Sequence, residues 1–296
     1  MNTMNLNSLL ESKKINPLDV IVLRHRPFES KLKRVLPWLA AERPEVFNAY
    51  QQTQSEKLEK AMLGVKYIAS FIGHAPGKAL FVGLYWIRES RRLTRDEYWK
   101  IPECIELKNF DYEGYTEKEA LVRPYNYWFD LVITDFYSEW KGKLVIGWPP
   151  PERSWWRRAH RNILPVISVL EDNALVQVMP PWEEINLSWS DISILPSYWK
   201  AILSQWRGVY LIFDSHDGKS YVGSAYGASN ILGRWVNYSN TGHGGNSLLR
   251  ERDPRNFQFT ILQRVSPDMP PDEVIKLEGT WKERLHTRQP FGLNEN

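Results

Sequence analysis

Two tyrosines, an arginine and a glutamate in the last third of the chain have the types and spacing to handle a phosphate. Tyr210 stands in Gly208-Val209-Tyr210 and Tyr221 in Tyr221-Val222-Gly223. Residues 209–213 and 219–222 are rich in β-branched and aromatic side chains, and Ser215-His216-Asp217-Gly218 supplies a turn between them. A β-hairpin is expected there, with both tyrosines facing one cleft. Their hydroxyls would reach a phosphate or a water. Two ordinary strand tyrosines in a core would give the same local pattern; the residues downstream set this pair apart.

Arg234 and Tyr238 lie four residues apart in a short stretch, 231–238, that reads as a helix, so they share a face. A guanidinium is a planar fork of donors that matches phosphate oxygens. Residues 272–285 have helical periodicity, with Val274, Leu277, Trp281 and Leu285 as the apolar stripe and Glu278 at its edge. A carboxylate in that place is either a solvated helix charge or a hard oxygen ligand for a divalent cation. Taken together, these residue types point to phosphodiester hydrolysis. The apolar end Phe291-Gly292-Leu293-Asn294 is expected to dock back onto the domain.

Residues 206–296 resemble a complete GIY-YIG endonuclease domain. The likeness is carried by GVY at 208–210, YVG at 221–223, Arg234, Tyr238, Glu278 and the late Asn294, in that order. It implies a small three-stranded antiparallel sheet flanked by helices. It also implies that Glu278 binds a single Mg²⁺ or Mn²⁺ acting as Lewis acid on the phosphate and the leaving 3′ oxygen. Arg234 would stabilise the phosphorane-like transition state from the other side. Tyr210, with Tyr221 or Tyr238, would orient or deprotonate the attacking water. A free tyrosine titrates near pH 10, so service as a base needs a lowered pKa. His243, in the Gly-rich run 241–246, is either a proton acceptor or phosphate contact, as in some relatives, or a loop residue between turn glycines. Asn246 is expected to cap a helix beginning at Ser247. One departure stands out: Ser224 follows YVG where some relatives carry lysine, which removes a cation but leaves Arg234 and the metal ligand.

The rest of the chain must position and direct this chemistry. With 296 residues, 43% hydrophobic and 25% charged, it has room for two domains of a globular protein, and a net charge of +3 is too weak to mark a nucleic-acid binder by itself. Cys104 is the only cysteine, so no intramolecular disulfide and no cysteine-rich zinc site is possible. No stretch approaches a membrane span, and the polar start lacks a signal-peptide core, from which a cytoplasmic protein is expected. Helices are expected over 29–39 and 44–66, and strands over 78–86 and 127–136. Residues 143–148 would pair with the preceding strand as a hairpin that ends at Pro149-Pro150-Pro151. The expected organisation is α+β: a helical segment 1–75, a β-rich aromatic DNA-recognition domain 76–185, a helical connector 186–205 and the nuclease-like domain 206–296.

The β-rich part sets aromatics beside arginines. Arg123, Tyr125, Tyr127 and Trp128 precede one strand, and Arg153, Trp155, Trp156, Arg157, Arg158, His160 and Arg161 form a run after the prolines. Arginines clamp phosphates and tryptophans stack on bases, so the run suits a DNA-facing surface; tryptophans filling a core beneath a solvated basic face would give the same composition. The region also resembles the small PUA and EVE barrels, some of which read modified bases. The expected function is site- or modification-specific cleavage of double-stranded DNA, in restriction or phage defence, by a homodimer or by sequential nicking. A structure-specific repair or recombination nuclease, and a non-catalytic binder of the same fold, are the alternatives.

Overall fold

A computed structural model describes residues 4–176, 178–227 and 229–295. The chain divides into two compact units, Met1–Gln177 and Val178–Asn296. The stretch 186–205 expected to be a connector therefore falls inside the second unit.

The first unit holds strands β1 (Val20–His25), β2 (Tyr67–Gly73), β3 (Lys78–Leu93), β4 (Asn126–Ile133), β5 (Leu144–Gly147), β6 (Trp156–Arg158) and β7 (Val166–Val169). Its α-helices are α1 (Leu6–Ser12), α2 (Ser30–Glu42), α3 (Pro44–Gln52), α4 (Glu56–Met62), α5 (Arg95–Tyr98), α6 (Pro102–Leu107) and α7 (Glu117–Val122). The strands form one sheet in the order β6-β1-β2-β3-β5-β7, with β4 also on β3. Only β1 and β2 among these pairs run parallel, and the crossover between them carries α2, α3 and α4. All six residues of β1 are buried. Val20 and Val22 join a core on one face with Leu6, Leu9 and Leu10 of α1, and Ile21 and Leu23 a core on the other with Leu58, Ala61 and Met62 of α4. Coverage of both faces is what a parallel pair requires. Cys104 is buried in α6, where its surroundings push the thiol pKa up to about 12.

Three expectations for this unit are corrected. The helix over 44–66 is two helices, because Thr53 is extended and Ser55 restarts the chain with its carbonyl accepting from Leu58 and Glu59. Strand β5 pairs with β3 and β7, not with β4. The reason is the length of β3: β4 takes its distal part and β5 its beginning, and the link stays on the same edge through Thr134 N to Leu84 O and Gly142 N to Phe81 O. The likeness to PUA and EVE barrels finds no support, since the sheet runs from β6 to β7 with no pairing between those ends among the described residues.

The second unit holds β8 (Asn186–Ser188), β9 (Arg207–Asp214), β10 (Ser220–Ala225) and β11 (Phe257–Val265), with helices α8 (Trp189–Ser193), α9 (Ser197–Leu203), α10 (Asn230–Thr241), α11 (Ser247–Arg250) and α12 (Pro271–Arg284). The sheet is antiparallel, in the order β10-β9-β11-β8. It thus has four strands where three were expected: Asn186–Ser188 adds to the free edge of β11, with Leu187 opposite Phe259. The segment that follows β8, with its two helices, buries Ile192, Leu195, Trp199 and Leu203 in the same core as Tyr210, Trp235 and Phe259. Apolar spacing alone made this segment look like a connector; its buried face belongs to the sheet. The C-terminus docks through Leu293, which is buried, and leaves Phe291 exposed.

Candidate active site

The hairpin of β9 and β10 has the register that places Gly223 opposite Tyr210 and Tyr221 opposite Ile212. Side chains alternate across a strand, so Tyr210, Tyr221 and Gly223 share one face. The two motif glycines serve different neighbours, Gly223 the ring of Tyr210 and Gly208 the backbone of β11. A Cβ on Gly223 would lie 2.5 Å from the Tyr210 hydroxyl, and a Cβ on Gly208 would lie 2.0 Å from the carbonyl oxygen of Gln263, where β11 bulges against β9. No larger residue leaves room for the ring at one position or for the neighbouring strand at the other.

Helix α10 lies over that face with Ile231, Trp235 and Tyr238 buried. Its period brings Arg234 and Tyr238 together above the hairpin. Arg234 Nε donates to Tyr210 Oη at 3.1 Å and Arg234 Nη2 to Tyr238 Oη at 3.4 Å, while the two hydroxyls stand 3.2 Å apart. The Tyr221 ring centroid lies 6.2 Å from that of Tyr238. Tyr210 and Tyr238 are fully buried, whereas Arg234 and Tyr221 keep part of their surface open.

Electrostatics separates these tyrosines by role. Burial, then the neighbouring Tyr221, raises the pKa of Tyr210 well above the ordinary phenol range in spite of Arg234. Burial and the adjoining tyrosines do the same to Tyr238. Both are protonated near neutral pH, the opposite of what a general base needs. Burial works against the charge on Arg234, but the hydroxyls of Tyr210 and Tyr238 outweigh it and hold the guanidinium above its usual value. With Nε and one Nη2 hydrogen engaged, the fork keeps further N–H donors for an anion.

Glu278 sits elsewhere. Its Oε2 accepts from Ser224 Oγ, and its Oε1 lies 2.7 Å from Lys282 Nζ, one helical turn along α12. Ser224 alternates to the face of β10 opposite Tyr221. The expected single cleft is therefore two clusters on either side of β10: Arg234 with three tyrosines on the α10 side, and Glu278 with Ser224 and Lys282 on the α12 side. Strand β10 is the outer strand of the sheet. Lys282 was not among the residues expected in the site, although a lysine four residues after a glutamate on a helix is a signal the sequence carries. Through Glu278 it brings a cation close to Ser224.

Asn294 is placed as a structural clamp. Its Oδ1 accepts from Val222 N at 2.9 Å and its Nδ2 donates to Val222 O at 2.8 Å, so the side chain pairs with the outer edge of β10 as a strand would. Leu293 N adds a bond to Ser220 O. His243 uses its Nδ1 to accept from Gly245 N at 2.9 Å, within a turn that also ties Gly244 N to Thr241 Oγ1. Asn246 caps α11 through Leu249 N.

No family model matches the chain, and no curated protein matches it. Two solved structures do. One is the catalytic domain of homing endonuclease I-TevI, 24% identical over 30% of this chain and 98% of that one, with a TM-score of 0.26. The other is the catalytic domain of intron endonuclease I-TevI in a glutamate-to-alanine mutant, 22% identical over 31% and 94%, also with a TM-score of 0.26. At these values the likeness assigns no role to any residue of this chain.

The lone carboxylate of Glu278 fits a hydrated Mg²⁺ or Mn²⁺, an ion that takes one or two carboxylates and fills its shell with water and phosphate oxygens. Among the described residues no three His, Cys, Asp or Glu side chains gather into a larger metal cage. Lys282 holds Oε1, so an ion there displaces the ammonium or shares the carboxylate with it.

The basic-aromatic run does not form one face. Trp156 begins β6 and packs against the core on the α4 side, and Arg157 is tied down by the carbonyls of Pro149 and Pro151. Arg161 is exposed, with Nε donating to His160 Nε2, and Arg158 is half-buried. Arg153 and Trp155 turn into a cavity of the first unit. No helix among the described residues is long and apolar enough to cross a membrane.

Proposed function

We propose that the chain is a metal-assisted DNA endonuclease of the GIY-YIG type, with Val178–Asn296 cutting and Met1–Gln177 choosing where. The observation that carries this reading is the guanidinium of Arg234, held charged and aimed by the hydroxyls of Tyr210 and Tyr238. Such a group, fixed before substrate arrives, stabilises charge as it develops on a phosphorane at no cost in reorganisation.

Glu278 would hold the ion, which supplies Lewis-acid stabilisation of the leaving 3′ oxygen when bound. Arg234 neutralises the equatorial phosphate oxygens. Tyr210 and Tyr238, kept protonated, orient Arg234. Tyr221 is the least buried of the three tyrosines and is the one left to orient the attacking water. Because Asn294 and Leu293 cover β10 at Ser220–Val222, a phosphate that touches both clusters lies against the uncovered end of that edge strand, near Gly223 and Ser224. In this reading the setting is restriction or phage defence, with a dimer or two successive nicks cutting both strands of plain or modified duplex.

The test is digestion of unmodified and base-modified genomic DNAs with Mg²⁺, followed by sequencing of the ends. A shared motif at the ends is expected. The reading fails if the purified chain cuts no DNA with Mg²⁺ or Mn²⁺, or if Glu278→Ala cuts as well as the parent.

A further inference from the structure

The first unit carries a cavity of about 750 Å³, built only from its own residues and including none assigned to cleavage. That volume lies in the range of pockets that hold a small organic ligand. Tyr50 and Tyr112 stand in its wall with ring centroids 5.4 Å apart, edge to face, and Trp155 lines it too. Asn126, the first residue of β4, also lines the cavity and is only 8% exposed, yet its Oδ1 is buried with no hydrogen-bond partner among the described residues. A buried carboxamide left short of a partner is uncommon in a folded protein and calls for an explanation. A turn of this carboxamide about its last torsion, which breaks no bond of Oδ1, would present a donor and an acceptor side by side to the cavity, the arrangement that matches the edge of a nucleobase.

Two features of the rim point the same way. Phe28 is 101% exposed, in the turn between β1 and α2, and supports no core. Apolar side chains of this kind act as wedges where proteins open a base stack. Lys33 and Arg153 are exposed, line the same cavity and make no ion pair among the described residues, so both are available to phosphates. Glu29 and Glu119 also line the cavity and would repel a phosphate drawn inside. The backbone thus belongs at the cationic rim and the uncharged base within.

We propose that this cavity receives a single nucleobase extruded from a DNA duplex, with Asn126 reading its edge and Phe28 filling the gap it leaves in the stack. The inference rests on the DNA reading above and names the feature by which the first unit selects its site. It also accounts for Arg153 and Trp155, which the cleavage site does not use.

The experiment uses the full chain in EDTA, so that cutting plays no part. The probe is a short duplex with 2-aminopurine at a central mismatch, where the cost of extrusion is lowest. Saturating protein is expected to raise the 2-aminopurine fluorescence several-fold as the base leaves the stack. Phe28→Ala, a change at an exposed side chain, is expected to keep duplex binding and lose the rise. Asn126→Ala is expected to weaken binding of the probe by about tenfold, the worth of one good base-edge contact. Duplex binding with no rise from the parent overturns the proposal. Binding of the free 2-aminopurine nucleotide without unstacking of the duplex overturns extrusion and assigns the cavity to a free nucleotide. Failure to bind duplex even at low salt overturns both this proposal and the DNA reading, whereas failure to cut with Mg²⁺ touches only the catalytic assignment.

Discussion

Arg234 Nε donates to Tyr210 Oη at 3.1 Å, and that bond joins the helix α10 to the hairpin strand β9. The guanidinium is thereby aimed by a buried phenol whose ring has room only because residue 223 is glycine. Arg234→Ala is expected to lower the cleavage rate by about 10²- to 10³-fold, the usual cost of removing one preorganised charge-stabilising donor. Arg234→Lys keeps the charge but loses the fork, and should recover little of the loss. Tyr210→Phe removes the acceptor for Nε and the partner of the Tyr238 hydroxyl while leaving the guanidinium in place; it is expected to cost less than Arg234→Ala and to leave the metal dependence unchanged. A titration of rate against Mg²⁺ for each variant checks the order.

The ion pair of Lys282 with Glu278 sets a second expectation. The ammonium competes with a divalent cation for Oε1, so Lys282→Ala is expected to lower the Mg²⁺ concentration at half-maximal cleavage by roughly fivefold, about 1 kcal/mol for a pair of this kind. Glu278→Gln should abolish metal-dependent cleavage. If Lys282→Ala instead slows cutting at saturating Mg²⁺ with no change in metal affinity, the lysine serves the phosphate and not the carboxylate.

Much of the second unit was legible because its signals are local. Alternation and turn residues marked the β9–β10 hairpin, four-residue spacing marked Arg234 and Tyr238, and the position of Asn246 before Ser247 marked a cap that the structure contains. What the sequence did not disclose depends on contacts between distant residues. Strand β8 has three residues and pairs only because β11 has a free edge, so nothing in its own pattern announces it. The odd spacing of Tyr221 and Ser224 puts them on opposite faces of β10, but nothing local reveals that Glu278 and Lys282 meet Ser224 while Arg234 and Tyr238 lie on the other side, which turns one expected cleft into two clusters. The same limit applies to Asn126, whose unmet hydrogen bond is visible only once the cavity around it has formed.

Gly223 makes a prediction about packing. Any side chain there meets the Tyr210 hydroxyl at 2.5 Å, and Tyr210 is hemmed in by Arg234 and Tyr238. Gly223→Ala is therefore expected to destabilise the protein by about 1–3 kcal/mol, the cost of overpacking a filled site. Thermal unfolding of the variant measures this. Cleavage should fall further than stability at permissive temperature, because the ring must shift and takes Arg234 with it.

His25 predicts how the first unit responds to acid. It is buried beside the rings of Phe47 and Tyr50, and its Nε2 meets Gln51 Oε1 at 3.2 Å and Ser70 Oγ at 3.1 Å. Burial is the main cause that lowers its pKa to about 4, against a weaker opposing effect of Gln51. Above pH 6.5 the imidazole is neutral in both folded and unfolded chains, and its contribution is fully present. As the pH falls below 6.5 the unfolded chain takes up a proton that the folded chain refuses until about pH 4, so stability is lost across that window and levels off beneath it. The total loss is about 3 kcal/mol, the worth of a shift of this size. Denaturant unfolding of the full chain from pH 7.5 to 4, followed by a probe in the first unit, should show this fall. His25→Gln removes the titration while keeping a polar side chain, and a fall of the same size in that variant would rule out His25 as its source.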